Sequence, residues 1–431
     1  MKKILLSSLM VLALAQVAVA QSGTNSPYSQ YGLGVLADQS QGFNRAMGGL
    51  SMGLRYANQV NYQNPASYSA IDSLTMIFDV GLSGQVTNFT EGGKKVNANN
   101  ADFEYVLASF RALPCLGVTV GVLPYSNIGY NYNTGPKPVG NSDITSTETF
   151  YGSGGVHQAF AGVGWQVVPS LSVGANFGYL WGTYDKYVSV VSSDSYVNTV
   201  TRNYTTNISS YKVDLGVQWQ KEVKAGELLT VGAVWGIGHK LGADALAHFN
   251  VLDKETGVST PRDPVPTVTD AFSLPNSFSV GAAWQHGTKW TLGVDYLFQN
   301  WGAEKMPEVD DVTGDYVLKD GLLSDRHKVV VGGEWVPNAI SRRFYNRIHY
   351  RFGASYATPY IKVNGQDGPK EYSLSAGLGI PIINAWNNRS LLNISGQWVR
   401  ASANDLITEN TFRINVGITF NERWFMKWKV K

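Results

Sequence analysis

From residue 74 onward the chain repeats one pattern, apolar and polar side chains alternating over stretches long enough to cross a bilayer as a strand, which takes about 9 to 11 residues. In the first stretch Leu74, Met76, Phe78, Val80 and Leu82 share one parity, and Thr75, Asp79, Gly81 and Ser83 the other. Strict period two places the two sets on opposite faces of a strand. Tyr211, Val213, Leu215, Val217 and Trp219 oppose Lys212, Asp214, Gly216 and Gln218 in the same way, and Trp290, Leu292, Val294, Tyr296 and Phe298 oppose Thr291, Gly293 and Asp295. The last such face is Phe412, Ile414, Val416, Ile418 and Phe420. Weaker stretches fall at 103–112, 116–132, 156–167, 171–184, 228–241, 276–285, 327–336, 347–357, 371–380 and 389–400, which brings the total to about fourteen.

Alternation alone fits a membrane barrel or a soluble sandwich, since both have one apolar and one polar face. The connections separate the two. With strand one starting at residue 74, the even-numbered junctions are short, at 112–115, 168–171, 222–226 and 286–288, and odd-numbered ones are long, at 134–155, 185–203 and 242–272. Short turns on one side and long loops on the other are the asymmetry of outer-membrane barrels. An even strand count closes an antiparallel sheet without a free edge, as lipid requires.

Trp219, Trp284, Trp290 and Trp335 lie at short-turn ends on the apolar parity and read as a periplasmic girdle, because indole rings settle at the headgroup level. The opposite parity carries Asp79, Lys212, Asp214, Asp295, Glu334, Arg351 and Arg413. Facing lipid, a basic side chain at the midplane costs roughly 2–4 kcal/mol, so these charges belong in the lumen, as structural ion pairs that anchor whatever fills it.

The N-terminus changes the setting. Lys2 and Lys3 precede an uncharged apolar run over 4–14 and the small residues Ala18, Val19 and Ala20, the layout of a cleaved secretory signal over 1–20. The mature chain then begins at Gln21, and without Lys2 and Lys3 its basic and acidic residues balance at 32 each, which argues against a nucleic-acid partner. No apolar run after residue 20 is long enough for a membrane helix. Cys115 is the single cysteine, so no internal disulfide forms, and its position rules it out as an acylated lipoprotein terminus.

Residues 21–73 alternate poorly and are rich in Gly, Asn, Gln and Ser. Such a segment buries little surface alone, but inside a barrel its backbone can pair with a polar wall, which makes it a plug. The alternative is a periplasmic leader without fixed structure. Within it, Arg45-Ala46-Met47-Gly48-Gly49-Leu50-Ser51 and then Asn61-Tyr62-Gln63-Asn64-Pro65-Ala66-Ser67-Tyr68, just before strand one, resemble the hatch of the FadL-like long-chain fatty-acid transporter family. That resemblance implies a fourteen-stranded outer-membrane barrel with an N-terminal hatch, to which Asn64, Pro65 and Ala66 belong. It covers the layout of the mature chain, with motif-level similarity confined to 45–68.

The expected fold is therefore all-β: a transmembrane antiparallel β-barrel of about fourteen strands over 74–420, plugged by 21–73, in the cell outer membrane of a Gram-negative bacterium. A tail over 421–431 departs from the family pattern. Its Trp424, Phe425 and Trp428 are interleaved with Arg423, Lys427, Lys429 and Lys431, which suits a membrane interface or a periplasmic partner and equally suits completion of the last hairpin or of the girdle.

Nothing points to catalysis. Ser153, in Tyr151-Gly152-Ser153-Gly154-Gly155, lacks the helix that follows a nucleophile elbow. His157, His239, His248, His286, His327 and His349 are scattered without metal-ligand spacing. Asp310 and Asp311, with Glu308 and Asp315 nearby, read as a solvated loop rather than a calcium site. No catalytic residue, metal or cofactor is expected.

The expected function is passive uptake of a hydrophobic, fatty-acid-like small molecule past the hatch, with Phe150, Tyr151, Tyr184 and Tyr187 in the outer loops as candidate ligand contacts. A second reading is a non-transporting structural or accessory barrel in an outer-membrane secretion or barrel-assembly complex. Its partners would be other outer-membrane or periplasmic proteins, besides the surrounding lipid. An apolar pocket of roughly 300–1,000 Å³ near the outer loops favours the first. Apolar side chains exposed on the periplasmic turns, around 337–346 and in the tail, favour the second.

Overall fold

A computed structural model describes residues 23–139, 143–261, 265–310, 313–382 and 390–422. The signal over 1–20 and the tail with Trp424, Phe425 and Trp428 lie outside them.

Among the described residues, fourteen long strands follow in chain order: β1 (Met76–Glu91), β2 (Lys94–Leu113), β3 (Leu116–Asn133), β4 (Thr145–Val168), β5 (Leu171–Ser192), β6 (Thr199–Lys224), β7 (Glu227–Gly236), β8 (Ser277–His286), β9 (Trp290–Gln299), β10 (Arg326–Trp335), β11 (His349–Ala357), β12 (Lys370–Ile382), β13 (Ser390–Ser402) and β14 (Thr408–Glu422). Each pairs antiparallel with the next. β14 returns to β1 with Val80 opposite Ile418 and Val86 opposite Phe412, so the sheet closes on itself.

The parity read from the sequence is the parity of the wall. Leu82, Phe412 and Ile414 are 53%, 56% and 64% exposed on the outside, whereas Asp79 on the opposite parity is 0% exposed. In water such a band would be anomalous; in lipid it is the solvated face. Trp219, Trp290 and Trp335 are exposed at the short-turn ends, Trp284 less so. Trp290 stacks on Trp335 with ring centroids 5.8 Å apart. At the other end of the band Trp235 stacks on Phe278.

Strand ends depart from the sequence reading. Much of the expected loops 134–155 and 185–203 is strand, because β4, β5 and β6 continue well past the apolar band. Beyond the bilayer both faces of a hairpin meet water, so alternation is no longer enforced and the sequence signal fades. The β1–β2 connection is a two-residue turn at Gly92 and Gly93, both in the left-handed region. Residues Ala245–Leu252 of the next long outer connection pair with 199–206 of β6 and raise the wall further. On the opposite rim β2–β3, β4–β5, β6–β7 and β8–β9 are joined tightly, but 336–348 forms a longer turn carrying the short 3-10 segment Phe344–Arg347.

Candidate functional site: the lumen and an opening in its wall

Residues 23–73 run through the lumen and are largely buried. The inward polar side chains of the wall satisfy their backbone. Asp295 accepts from the Ser51 and Met52 amides at 2.6 and 3.0 Å. Gln218 donates to the Met52 and Leu54 carbonyls. Asn176 donates to the Tyr62 carbonyl and accepts from the Tyr68 hydroxyl. Asn64 caps the 3-10 segment Pro65–Ala70, its side chain accepting from the Ala66 amide, and also donates to the Met52 carbonyl at 2.9 Å. Replacing Asn64 by alanine is expected to cost about 1–2 kcal/mol, read as a lower denaturant concentration at which residues 23–73 become protease-sensitive.

Close approach demands glycine in the wall. A Cβ on Gly174 would sit 2.4 Å from the Pro65 carbonyl carbon, and one on Gly232 would sit 2.0 Å from the Met52 oxygen. Gly117, Gly332 and Gly353 meet the backbone of Tyr68 and Met47 equally closely. The sequence reading placed Gly81, Gly216 and Gly293 inward but gave the glycines no task. Their recurrence on the luminal parity of successive strands was the signal for a groove that receives main chain.

Charges on the inward parity are brought together only in part. Arg351 lies 2.6 Å from Glu334, with His349 3.0 Å from the same carboxylate, and Lys212 pairs with Asp214. Asp79 accepts from the Tyr105 hydroxyl, which in turn accepts from the Gly42 amide. Arg413 donates to Gln85 rather than to an acid. A buried ion pair between segment and wall, which sequence reasoning missed, joins Arg45 to Glu104 at 2.8 Å, with Asn415 accepting a further bond from Arg45. Beside it, burial would raise the Asp38 carboxyl, but Arg45, then Lys328 and the Ser40 hydrogen bonds, outweigh burial and hold it below the ordinary carboxylate range.

One stretch of wall is open. β2 and β3 pair only from Val106–Val122 down to Leu113–Leu116. Above that, β2 is paired with β1 alone and β3 with β4. Each strand bulges where they part: Glu104 is skipped in the register of β2 on β1, and Tyr125 in that of β3 on β4. Bulges bend strands and end pairing, and Pro124 brings no N–H to the ladder. The freed edge of β3 is taken by Val35 and Leu36, opposite Asn127 and Ser126, while the Ala37 amide donates to the Tyr125 carbonyl.

Behind the opening lies a cavity of about 290 Å³, lined by Asp102, Glu104, Tyr125 and Asn127 at the opening and by Arg326 and Lys328 from β10. A second, of about 150 Å³, shares Gln39, Gln63 and Lys328 with it and reaches Lys212, Asp214 and Asp295. Above them Leu33, Phe272, Trp301 and Leu323 pack with Tyr184 in a buried apolar cluster. The four aromatic residues expected in loops lie on strands of both parities. Phe150 and Tyr184 face this cluster, where Phe150 stacks on Tyr132 and the Tyr184 hydroxyl donates to the Gln30 carbonyl. Tyr151 and Tyr187 are register partners on the outer face. The acidic loop is tied down at Asp310, 3.7 Å from Lys319, and Asp311 lies outside the described residues.

A family model for BamG matches residues 1–431. The chain belongs to the BamG family. No curated protein sequence matches it. Among solved structures, this BamG-family barrel is similar to the P. putida toluene transporter TodX, with a TM-score of 0.62 at 15% identity over 92% of this chain and 100% of that one. The Ralstonia pickettii toluene transporter TbuX gives 0.59 at 14%, over 88% and 97%. A Pseudomonas aeruginosa FadL homologue gives 0.60 at 11%, over 89% and 98%. At such identities the likeness is one of fold. The FadL-like barrel expected from the sequence is the barrel found, in a family of its own.

Proposed function

We propose that this BamG-family barrel is a non-transporting accessory component of an outer-membrane protein assembly, which holds a partner through its long periplasmic turn. The observation that carries this reading is the turn itself. Ile340 is 93% exposed, with Phe344 and Tyr345 more than half exposed beside it and Arg342 and Arg343 between. A turn that only joins two strands has no use for such residues, and clustered exposed aromatics with arginine are the composition of protein contact sites. Of the outer loops, the longer ones bury Trp301, Phe272 and Leu323, although Tyr196 is exposed.

The lumen supports the same reading. The cavities mix charged and amide side chains with apolar ones such as Leu36, Tyr125 and Val330, so neither is the predominantly apolar pocket that a hydrophobic solute needs. Whole-chain membership of the BamG family, as distinct from the transporters that share its fold, weighs in the same direction. Passage of hydrophobic small molecules is the second reading, and the opening between β2 and β3 favours it, since it joins the lumen to the side of the barrel.

The test is native mass spectrometry of the full chain taken from outer membranes in mild detergent. Wild type is expected to carry protein partners in fixed stoichiometry, and the Ile340→Asp, Phe344→Ala, Tyr345→Ala triple variant to lose them while the barrel stays folded. A monomer carrying hydrophobic small molecules, unchanged by the triple variant, would sink the accessory reading and support transport.

A further inference from the structure

The large luminal cavity has charged walls of both signs that do not meet. Lys328 on β10 faces Ala357 on β11, Ala357 faces Glu371 on β12, Glu371 faces Ala401 on β13, and Ala401 faces Glu409 on β14. One row around the barrel therefore reads cation, alanine, anion, alanine, anion. With neighbouring strands about 4.8 Å apart, Lys328 and Glu371 are roughly 10 Å apart at the backbone. Between these charges Ala357 and Ala401 line the cavity and offer no polar group to either sign. Arg326, two residues before Lys328 on the same face, strengthens the cationic end.

Among the described residues none of these side chains makes an ion pair. Arg326 donates only to Gln299, and Glu409 accepts from the Ser26 hydroxyl. Lys328 and Glu371 make no hydrogen bond or ion pair through their side chains, although both line the cavity. Three further polar atoms of cavity-lining residues are buried without partners: the Gln39 amide nitrogen and the Gln63 and Gln397 carbonyl oxygens. Buried donors and acceptors left unpaired are costly, so a polar occupant is called for. Of the neighbouring acids, Glu104 is engaged with Arg45 and Asp102 with Asn127, while Asp38 is shared between Arg45 and Lys328 and offsets only part of the Lys328 charge.

We propose that this cavity is a binding site for a zwitterion, an ammonium joined to a phosphate or carboxylate. Arg326 and Lys328 hold the anionic group, and Glu371 and Glu409 hold the ammonium. A simple anion would leave the two glutamates unpaired, and a simple cation would leave Arg326 unpaired and Lys328 with only the Asp38 carboxylate that it shares with Arg45. The opening between β2 and β3 ends at this cavity, so the ligand has two possible sources: a phosphoethanolamine lipid whose chains stay in the bilayer, or a free molecule bearing the same group. The proposal goes beyond the accessory role and does not depend on it.

The experiment uses the full-length mature barrel in mixed micelles with equal phosphatidylethanolamine and phosphatidylglycerol, and reads retained lipid by native mass spectrometry. In parallel, free phosphoethanolamine is titrated calorimetrically in lipid-free detergent. Wild type is expected to prefer the ethanolamine lipid by about tenfold, the loss of one charge-assisted contact being worth that much, with Glu371→Gln abolishing the preference and Lys328→Met lowering retention of both lipids, whose phosphate it holds. Binding of free phosphoethanolamine with the same dependence on both variants would support the site with a soluble source. Both variants are checked for compact heat-modifiable migration, and since they sit on different strands each reads the site alone. Should neither the lipid nor phosphoethanolamine distinguish wild type from a folded variant, the proposal is overturned and the cavity holds water.

Discussion

Valine at both Gly174 and Gly232 is expected to drive residues 52–66 out of their groove while the barrel stays closed. The new Cβ atoms would lie 2.4 and 2.0 Å from the Pro65 carbonyl carbon and the Met52 oxygen. Both obstacles are main chain, so rotating a side chain gives no relief. Overpacking typically costs about 1–3 kcal/mol per site, and here it falls on a segment held to the wall by hydrogen bonds that Asp295 accepts and that Gln218 and Asn176 donate. The wall itself has no objection to valine. Neither glycine has positive φ, and β-branched residues suit a strand. The expected result is a barrel of normal heat-modifiable migration whose residues 23–73 are cut by added protease, with raised single-channel conductance in planar bilayers. Unchanged conductance with a cut segment would show that the outer apolar cluster, not the segment, seals the lumen.

The same glycines show where sequence reasoning stops. Parity along β1, β6, β9 and β14 was legible because lipid on one side and a polar lumen on the other penalise every misplaced side chain, and the closure of fourteen strands followed from it. The inward charges were legible for the same reason. What they pair with was not, since Arg351 finds Glu334 across a strand pair but Arg413 finds only Gln85, and register on the polar face is set by contacts that no period encodes. The bulges at Glu104 and Tyr125 slip the parity by one residue, so the reading of 103–112 and 116–132 as plain strands passed over the place where, among the described residues, the wall opens. Parity was likewise unavailable for Phe150, Tyr151, Tyr184 and Tyr187 once they were read as loop. On strands it divides them, with Tyr151 and Tyr187 turned outward.

Arg351→Met is expected to produce the largest loss of barrel stability among single luminal substitutions. The guanidinium lies 2.6 Å from Glu334 and also donates to Asn393, and the two side chains are 1% and 6% exposed. Removing one member of such a pair leaves a buried charge without compensation, typically a loss of about 3–5 kcal/mol. His349, 3.0 Å from the same carboxylate, and the Tyr56 hydroxyl, 3.4 Å from its other oxygen, soften this toward the lower end. Glu334→Gln combined with Arg351→Met removes both charges and is expected to recover much of the loss, because the cost lies in the orphaned carboxylate rather than in the absent attraction. The measurement is the urea midpoint for loss of compact migration in each single variant and the double. Equal midpoints for Arg351→Met and the double variant would mean that water reaches Glu334 and the pair is not desolvated. Since Tyr56 belongs to the luminal segment, Arg351→Met should also loosen that segment. It differs from the glycine variants in that wall and segment weaken together, whereas valine at Gly174 and Gly232 separates them.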